Sequence, residues 1–409
     1  MEHSDMNNYD RIDIIEKLFL ISIIFTSGTE ITLTLSFPSY FMLAIFGLLI
    51  LSHRIDFRHV GSPFLFIIIV GVVWTIQCTL YTAGNTDTYL SLAKSFLSFP
   101  MVIIYSNTKS ECNKERFQFC IKALLTISII SNILFVLAIL GVPLPRVSTL
   151  HSRTISIMFL ENYSINPTFG FLGYRNYGIF WEPGMYQIYL NLILIYYLYS
   201  KELTFAKKCL ISIYIVLTII TTASTTGYVL TIVIFGLFAI KNSCKIYVKV
   251  LLIILFAIGL MIIFPYLDSA INTKLTLGTS FEKRFADLSD GLNLYKTKPL
   301  FGYGIENNIY DQYYESLYGY NRGNSNGLIS ILINFGFVGF TIYVACFSRF
   351  LSWINRNIQM EMTLPLIAWA VLSFNGEPVS TKNFMFLLLG IGLSYKQFKR
   401  IRLKQMVRL

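Results

Sequence analysis

The sequence predicts an all-α integral membrane protein, and three observations carry that prediction. Of its 409 residues, 55% are hydrophobic and only 13% are charged, where a soluble chain carries about 25% charged residues. Mean hydropathy is +0.60. Apolar runs recur along the whole chain at about the length, roughly 20 residues, that carries a helix across the hydrocarbon layer. A soluble enzyme is therefore excluded, and the solvent of most of the fold is lipid.

Taken in order, the runs predict about twelve transmembrane helices, near 14–27, 37–52, 63–82, 89–105, 117–140, 185–200, 207–223, 227–241, 246–267, 326–347, 362–375 and 383–395. The first, eleventh and twelfth are short or carry polar residues. The opening segment has Glu2, Asp5, Asp10 and Asp13 and no small-residue cleavage site, so it does not read as a signal peptide. A single polytopic domain over 1–409 is expected, with two long connections at 141–184 and 268–325.

Lys and Arg fall on alternate connections. Arg11, Lys17, Arg54, Arg58, Lys109, Lys114, Arg116, Lys201, Lys207, Lys208, Lys241, Lys245, Lys249, Arg349, Arg356 and the six from Lys396 to Arg408 share one side, 21 of 33 in all. The opposite hairpins at 28–36, 83–88 and 222–226 have none. By the positive-inside rule both termini are cytoplasmic and the two long loops face outward. The net charge of +11 is thereby explained by orientation, and nucleic acid is dropped as a partner.

The six cysteines all lie outside the two long loops, so no disulfide framework is implied. With four His, of which only His151 faces outward, no transition-metal cluster can be assembled. There is no Walker phosphate loop and no dinucleotide glycine fingerprint. No cofactor is expected.

Chemistry therefore concentrates in the two loops, since long loops need a reason. The first ends in GYRNYGIFWEPGMYQIYL, with Arg175 and Glu182 on either side of an aromatic cluster. Pro183 suits the first turn of the sixth span, and an acid is favoured at a helix N-terminus, so Glu182 reads equally as a helix-start residue. Arg175 stands on the side that the positive-inside rule depletes. In the second loop, Phe281, Phe285 and Leu288 form an apolar stripe at helical spacing around Arg284, on a short amphipathic helix expected to lie flat on the membrane. Pro299 and the pair Gly302 and Gly304, flanking Tyr303, predict a tight turn where absent side chains let a ligand approach backbone amides, although a plain turn explains them too. Arg322, Asn324, Ser325 and Asn326 then form a polar cluster before the tenth span, suited to a sugar or phosphate, or to capping that helix.

Two arginines, an acid and a glycine turn suit an anionic, lipid-linked substrate, because the planar guanidinium fork donates two parallel hydrogen bonds to a diphosphate. Tyr174, Tyr177, Trp181, Tyr303, Tyr310, Tyr313 and Tyr314 offer flat faces to sugar rings, while the same residues fit an interfacial aromatic belt.

Arg284 followed by KPLFGYG over 298–304, then SNGLISILINFGFVGF over 325–340, in a chain of many spans with a large outer loop, resembles the O-antigen ligase and polymerase superfamily of bacterial inner membranes. FWEP over 180–183, preceded by an Arg, resembles the polymerase branch. The resemblance covers the last third of the chain and residues 171–191. The ligase branch opens the helix after the large loop with His-Asn. Ser325-Asn326 stands there in this chain, which favours a polymerase and removes an imidazole base.

The resemblance implies a bundle of the membrane glycosyltransferase C type, with its active site facing the periplasm. It also implies transfer of a growing polysaccharide from undecaprenyl diphosphate onto a new lipid-linked repeat unit, with inversion and without a metal. Donor and acceptor are then both undecaprenyl-diphosphate-linked, the bilayer is the medium, and a chain-length regulator and a flippase are the implied protein partners. On this reading Arg175 and Arg284 hold diphosphate, and Glu182 is the base or orients the acceptor hydroxyl. Arg322, Asn324, Asn326, Gly302, Tyr303 and Gly304 bind substrate, and Glu377, in a second Glu-Pro pair, is a reserve base. Two alternatives stand: a ligase that transfers the finished chain to lipid A core, and a lipid-linked oligosaccharide flippase. A flippase is expected to carry charge within its spans, and these are nearly free of it, Lys94 excepted.

Overall fold

A computed structural model describes residues 12–55, 98–149, 154–165, 173–241, 281–304, 309–319, 324, 326–358 and 361–406. The fold is mostly helical and divides into two compact units. One comprises Met1–Ala123, Ser289–Gln359 and Pro378–Leu409, the other Leu124–Leu288 and Met360–Glu377.

In chain order the helices are α1 (Ile14–Phe25), α2 (Glu30–Thr34), α3 (Phe37–Leu51), α4 (98–107), α5 (Asn113–Ile139), α6 (Pro183–Tyr199), α7 (Phe205–Thr222), α8 (Thr225–Lys241), α9 (Phe281–Thr297), α10 (Ile309–Tyr318), α11 (Gly327–Asn357), α12 (Thr363–Gly376) and α13 (Asn383–Met406). Among the described residues, three helical stretches are long and apolar enough to cross a membrane: Ser110–Ile139, Phe205–Thr222 and Gly327–Asn357. Phe37–Leu51, Thr225–Ile240, Thr363–Gly376 and Asn383–Ser394 are shorter apolar helices. The expected spans near 14–27 and 185–200 are also helical, as α1 and α6. Those near 63–82 and 246–267 lie outside the described residues, as does most of 89–105.

In the first unit, α11 packs against α13 and α1 against α3. Among its buried charges is Arg116 on α5, which the sequence groups with the cations of one membrane face. The side chain is fully buried, pairs with Glu16 of α1 at 3.1 Å and lies 4.1 Å from the centre of the Tyr105 ring. Its Nη1 donates to the carbonyls of Tyr105 and Thr108 and to Oδ1 of Asn113. A buried charge is tolerated only when paired and hydrogen-bonded, and this arrangement provides both.

In the second unit, α6 packs against α7, α8 and α12. It is buried along nearly its whole length. Trp369 of α12 donates its indole N–H to the carbonyl of Ile188 at 2.8 Å. Asn191 reaches the carbonyls of Gln187 and Gly227, and Thr231 donates to its Oδ1 at 2.9 Å. Such bonds satisfy polar groups that lipid cannot.

The connection at 141–184, expected as a loop in an all-α fold, contains a four-stranded antiparallel sheet. Its strands are β1 (Arg146–Val147), β2 (Ile155–Ile157), β3 (Glu161–Ile165) and β4 (Tyr174–Gly178), in sequential order. Ile157 and Tyr163 pack on Phe135 of α5, which gives the sheet its own small core. The hairpin between β2 and β3 turns at Met158 and Phe159, both at positive φ, with the Leu160 amide donating to Ile157. Such turns strongly prefer Asn-Gly or Asp-Gly. Met-Phe carries no such signal, so the hairpin was not legible in the sequence.

Candidate functional site

Arg175 stands on β4. Its Nε donates to the carbonyl of Thr222 at 3.3 Å and its Nη2 to that of Ala223 at 3.5 Å. These carbonyls close α7, whose last turn ends at Ala223 in the left-handed region, φ 48°. Tyr228 donates its hydroxyl to the carbonyl of Ile220 at 2.9 Å. A cation at a helix C-terminus is favoured by the helix dipole, so the guanidinium is fixed in place by the α7–α8 turn. The neighbouring Asn176 is fully buried and clamps the strand, donating to Asn132 Oδ1 at 2.8 Å and to Thr221 Oγ1 at 3.0 Å.

Immediately past that turn lies a hollow of about 210 Å³, lined by Thr225, Thr226, Val229, Leu372, Asn375 and Gly376. Glu377 follows directly as the C-cap of α12. Its side chain is 8% exposed, and a Cβ at Gly184 would overlap its carboxylate. The two Glu-Pro pairs of the sequence are thus brought together: Glu377 rests on the glycine that follows Glu182-Pro183. Glu182 occupies the N-cap position of α6 with Pro183 in the first turn, as a helix start requires, yet its carboxylate caps nothing and is exposed.

Arg284 falls in the first turn of α9, which runs on to Thr297. Arg322 and Ser325 lie outside the described residues. Asn324 accepts from the Asn326 amide at 2.7 Å, and Asn326 accepts from the amides of Leu328 and Ile329 at 3.1 and 3.2 Å. The capping alternative for this cluster therefore describes Asn326 in the fold.

The glycine turn corrects one expectation. The amides of Tyr303 and Gly304 are not presented to a ligand but donate to the carbonyls of Ile333 and Asn334, each at 2.8 Å. In return the amides of Phe337 and Val338 donate to the carbonyls of Pro299 and Leu300, at 2.7 and 3.1 Å. Helix α11 is broken at Gly336, at φ 63° and ψ −171°. The two helical bonds that an unbroken turn would make there are replaced by four to the turn. Lys298 lies 4.9 Å from the centre of the Tyr303 ring.

The sequence reading missed Glu161. It is fully buried on β3, with one oxygen bonded to the Ser131 hydroxyl and Oε1 without a hydrogen-bond partner. Burial pushes its carboxyl well above the usual range, outweighing the opposing hydrogen bond from Ser131. A lone Glu between a turn and Asn162 carried no sequence signal.

Residues 210–344 match the family model described as O-antigen ligase. Over this stretch, less than half of the chain, the sequence is similar to that family. The stretch contains Arg284, the glycine turn, the break at Gly336, and Arg322, Asn324 and Asn326, whereas Arg175, Glu182 and Glu377 lie outside it. Neither a curated protein nor a solved structure matches the chain. The long apolar helices and this match both point to a membrane protein.

Proposed function

We propose that the chain is an O-antigen polymerase. It joins the growing polysaccharide on undecaprenyl diphosphate to a new lipid-linked repeat unit at the periplasmic face of a bacterial inner membrane. It crosses that membrane about twelve times, with both termini in the cytoplasm. The observation that carries this reading is the grouping, in one unit, of an arginine fixed at a helix end, a hollow that begins at Thr225, and a buried carboxylate next in sequence to its wall.

The acceptor hydroxyl oxygen attacks the anomeric carbon, the carbon–oxygen bond to the diphosphate breaks, and the diphosphate leaves with the electron pair, inverting the centre. Arg175 and Arg284 neutralise the departing charge in the manner of other preorganised donors, so the step needs no metal. The acceptor proton passes to a carboxylate. Glu377 suits that role better than Glu182, because an enclosed acid is held in one orientation while an exposed one is not. Arg322 and Asn324 remain substrate-binding residues on this reading.

The family description favours a second reading, transfer of the finished chain to lipid A core. Against it stands Ser325, where the ligase branch carries His. The lipopolysaccharide ladder of a deletion strain separates the readings. A single core-plus-one-repeat band supports the polymerase, whereas rough core with accumulated long lipid-linked chains supports the ligase. In the complemented strain, Arg175→Ala and Arg284→Ala should each abolish extension with the protein still in the membrane. A fully active Arg284→Ala removes the mechanism.

A further inference from the structure

We propose that Asn176, held in turn by Asn132, is a positioning residue for Arg175, and that the two amides together aim the guanidinium at the substrate diphosphate. This rests on the reading of Arg175 as a diphosphate ligand and names what places it. Arg175 and Asn176 are successive residues of β4, so their side chains leave the strand on opposite faces. Arg175 is half-buried, whereas Asn176 is fully enclosed. A change at Asn176 therefore reaches a ligand of Arg175 only by moving the strand.

The α7–α8 turn receives the guanidinium over 3.3 and 3.5 Å, the long end of the hydrogen-bond range. Nη1 takes part in neither bond. Such contacts hold the head group only where β4 delivers it, and β4 is the last strand of its sheet, paired with β3 alone. Asn176 supplies the support that a further strand would give.

Its Nδ2 donates to Asn132 Oδ1 on α5 and to Thr221 Oγ1 on α7, and its Oδ1 accepts from the Gly178 amide at 2.9 Å. Asn132 then donates to the Tyr214 hydroxyl at 2.8 Å and to Thr218 Oγ1. Both donors of each amide are thus engaged. Thr221 sends its own hydroxyl hydrogen to the Thr218 carbonyl at 2.7 Å, which leaves its lone pairs for Asn176. Tyr214, Thr218 and Thr221 follow at helical spacing on one face of α7, and the next residue is Thr222, whose carbonyl Arg175 meets. The separation of β4 from the end of α7 is therefore set by the amides, and the guanidinium inherits it. Displacing a substrate-holding group by about 1 Å can cost a hundredfold in rate.

The test uses the full-length protein in nanodiscs with undecaprenyl diphosphate as the probe, its affinity read by thermophoresis. Arg175→Ala should weaken binding about tenfold. Asn176→Ala should weaken it about fivefold, and Thr221→Val, which keeps the shape of the side chain and removes one acceptor, about threefold. In the Arg175→Ala background each should change affinity by less than about 1.5-fold, because the group they aim is gone. A loss by the same factor in both backgrounds means that the amides serve the fold at large, and it overturns the proposal. Wild-type affinity in Asn176→Ala, or in Thr221→Val where Asn176→Ala does not fold, overturns it equally. In those cases a weakened Arg175→Ala leaves the diphosphate reading standing. If Arg175→Ala binds like the wild type, or the wild type does not bind, that reading falls and takes the proposal with it.

Discussion

Gly302 and Gly336 meet backbone to backbone. A Cβ at Gly302 would overlap the Ile333 carbonyl, and one at Gly336 would overlap the Leu300 carbonyl. Both residues are at positive φ, 67° and 63°. The turn 299–304 and the break in α11 therefore form one device, in which each satisfies the polar groups that the other exposes. In a bilayer, irregular backbone persists only where protein supplies such partners.

Gly302→Ala and Gly336→Ala should each destabilise the protein by about 3 kcal/mol or more. The left-handed conformation costs roughly 1–2 kcal/mol for an L side chain, and at least one backbone bond is lost besides. Thermal unfolding in detergent, read by size-exclusion, checks this. A variant that melts with the wild type would show that the two segments do not depend on each other.

Gly184 and Glu377 should be energetically coupled. Gly184→Ala alone should displace the carboxylate and lower stability. In the Glu377→Ala background the same change should be nearly neutral for stability, because the obstructing group is gone. A double-mutant cycle on melting temperature reads the coupling, expected at about 1 kcal/mol or more for residues in contact. Simple additivity would contradict the contact.

Glu161 predicts a pH dependence. Its folded carboxyl titrates well above the ordinary value, so the folded state holds a proton that the unfolded chain releases. Its contribution is fully present below the unfolded value, near 4.5, and is lost as pH rises toward the raised folded value. The slope is at most about 1.4 kcal/mol per pH unit. Glu161→Gln, neutral at every pH, should melt like the wild type at pH 4 and progressively above it at pH 6 to 8. Parallel curves would mean that the acid is ionised in the fold.

Breaking the Arg116–Glu16 pair should be severe. Glu16→Ala leaves a fully buried guanidinium without its carboxylate and should cost about 3–5 kcal/mol, whereas Glu16→Leu with Arg116→Met should recover most of the loss. Expression in the membrane and melting temperature report both outcomes.

The spans were legible because hydropathy accumulates along a run. The helices beginning at Phe37, Phe205, Gly327 and Asn383 lie where their apolar stretches do. The helix bearing Arg284 followed from Phe281, Phe285 and Leu288, and the N-cap role of Asn326 from its residue type. The sheet within 141–184 was not legible. Its strands run two to five residues, and Met158-Phe159 hides the turn. Gly302 and Gly304 announced a turn, but nothing near them indicated that Gly336 would receive it. Glu182 and Glu377 both stood out as Glu-Pro pairs, and only the fold distinguished the exposed acid from the enclosed one.

Membrane residence, the helical runs and the residue types present in the two long connections were determined by the sequence alone. Each is a local property, summed over neighbours in the chain. Tertiary structure decided which polar groups are already occupied: the amides of Tyr303 and Gly304 by α11, two donors of Arg175 by the end of α7, Arg116 by Glu16. Pairing depends on which distant groups share a place in space, and in lipid or a packed core no water competes for the partner, so the fold settles it.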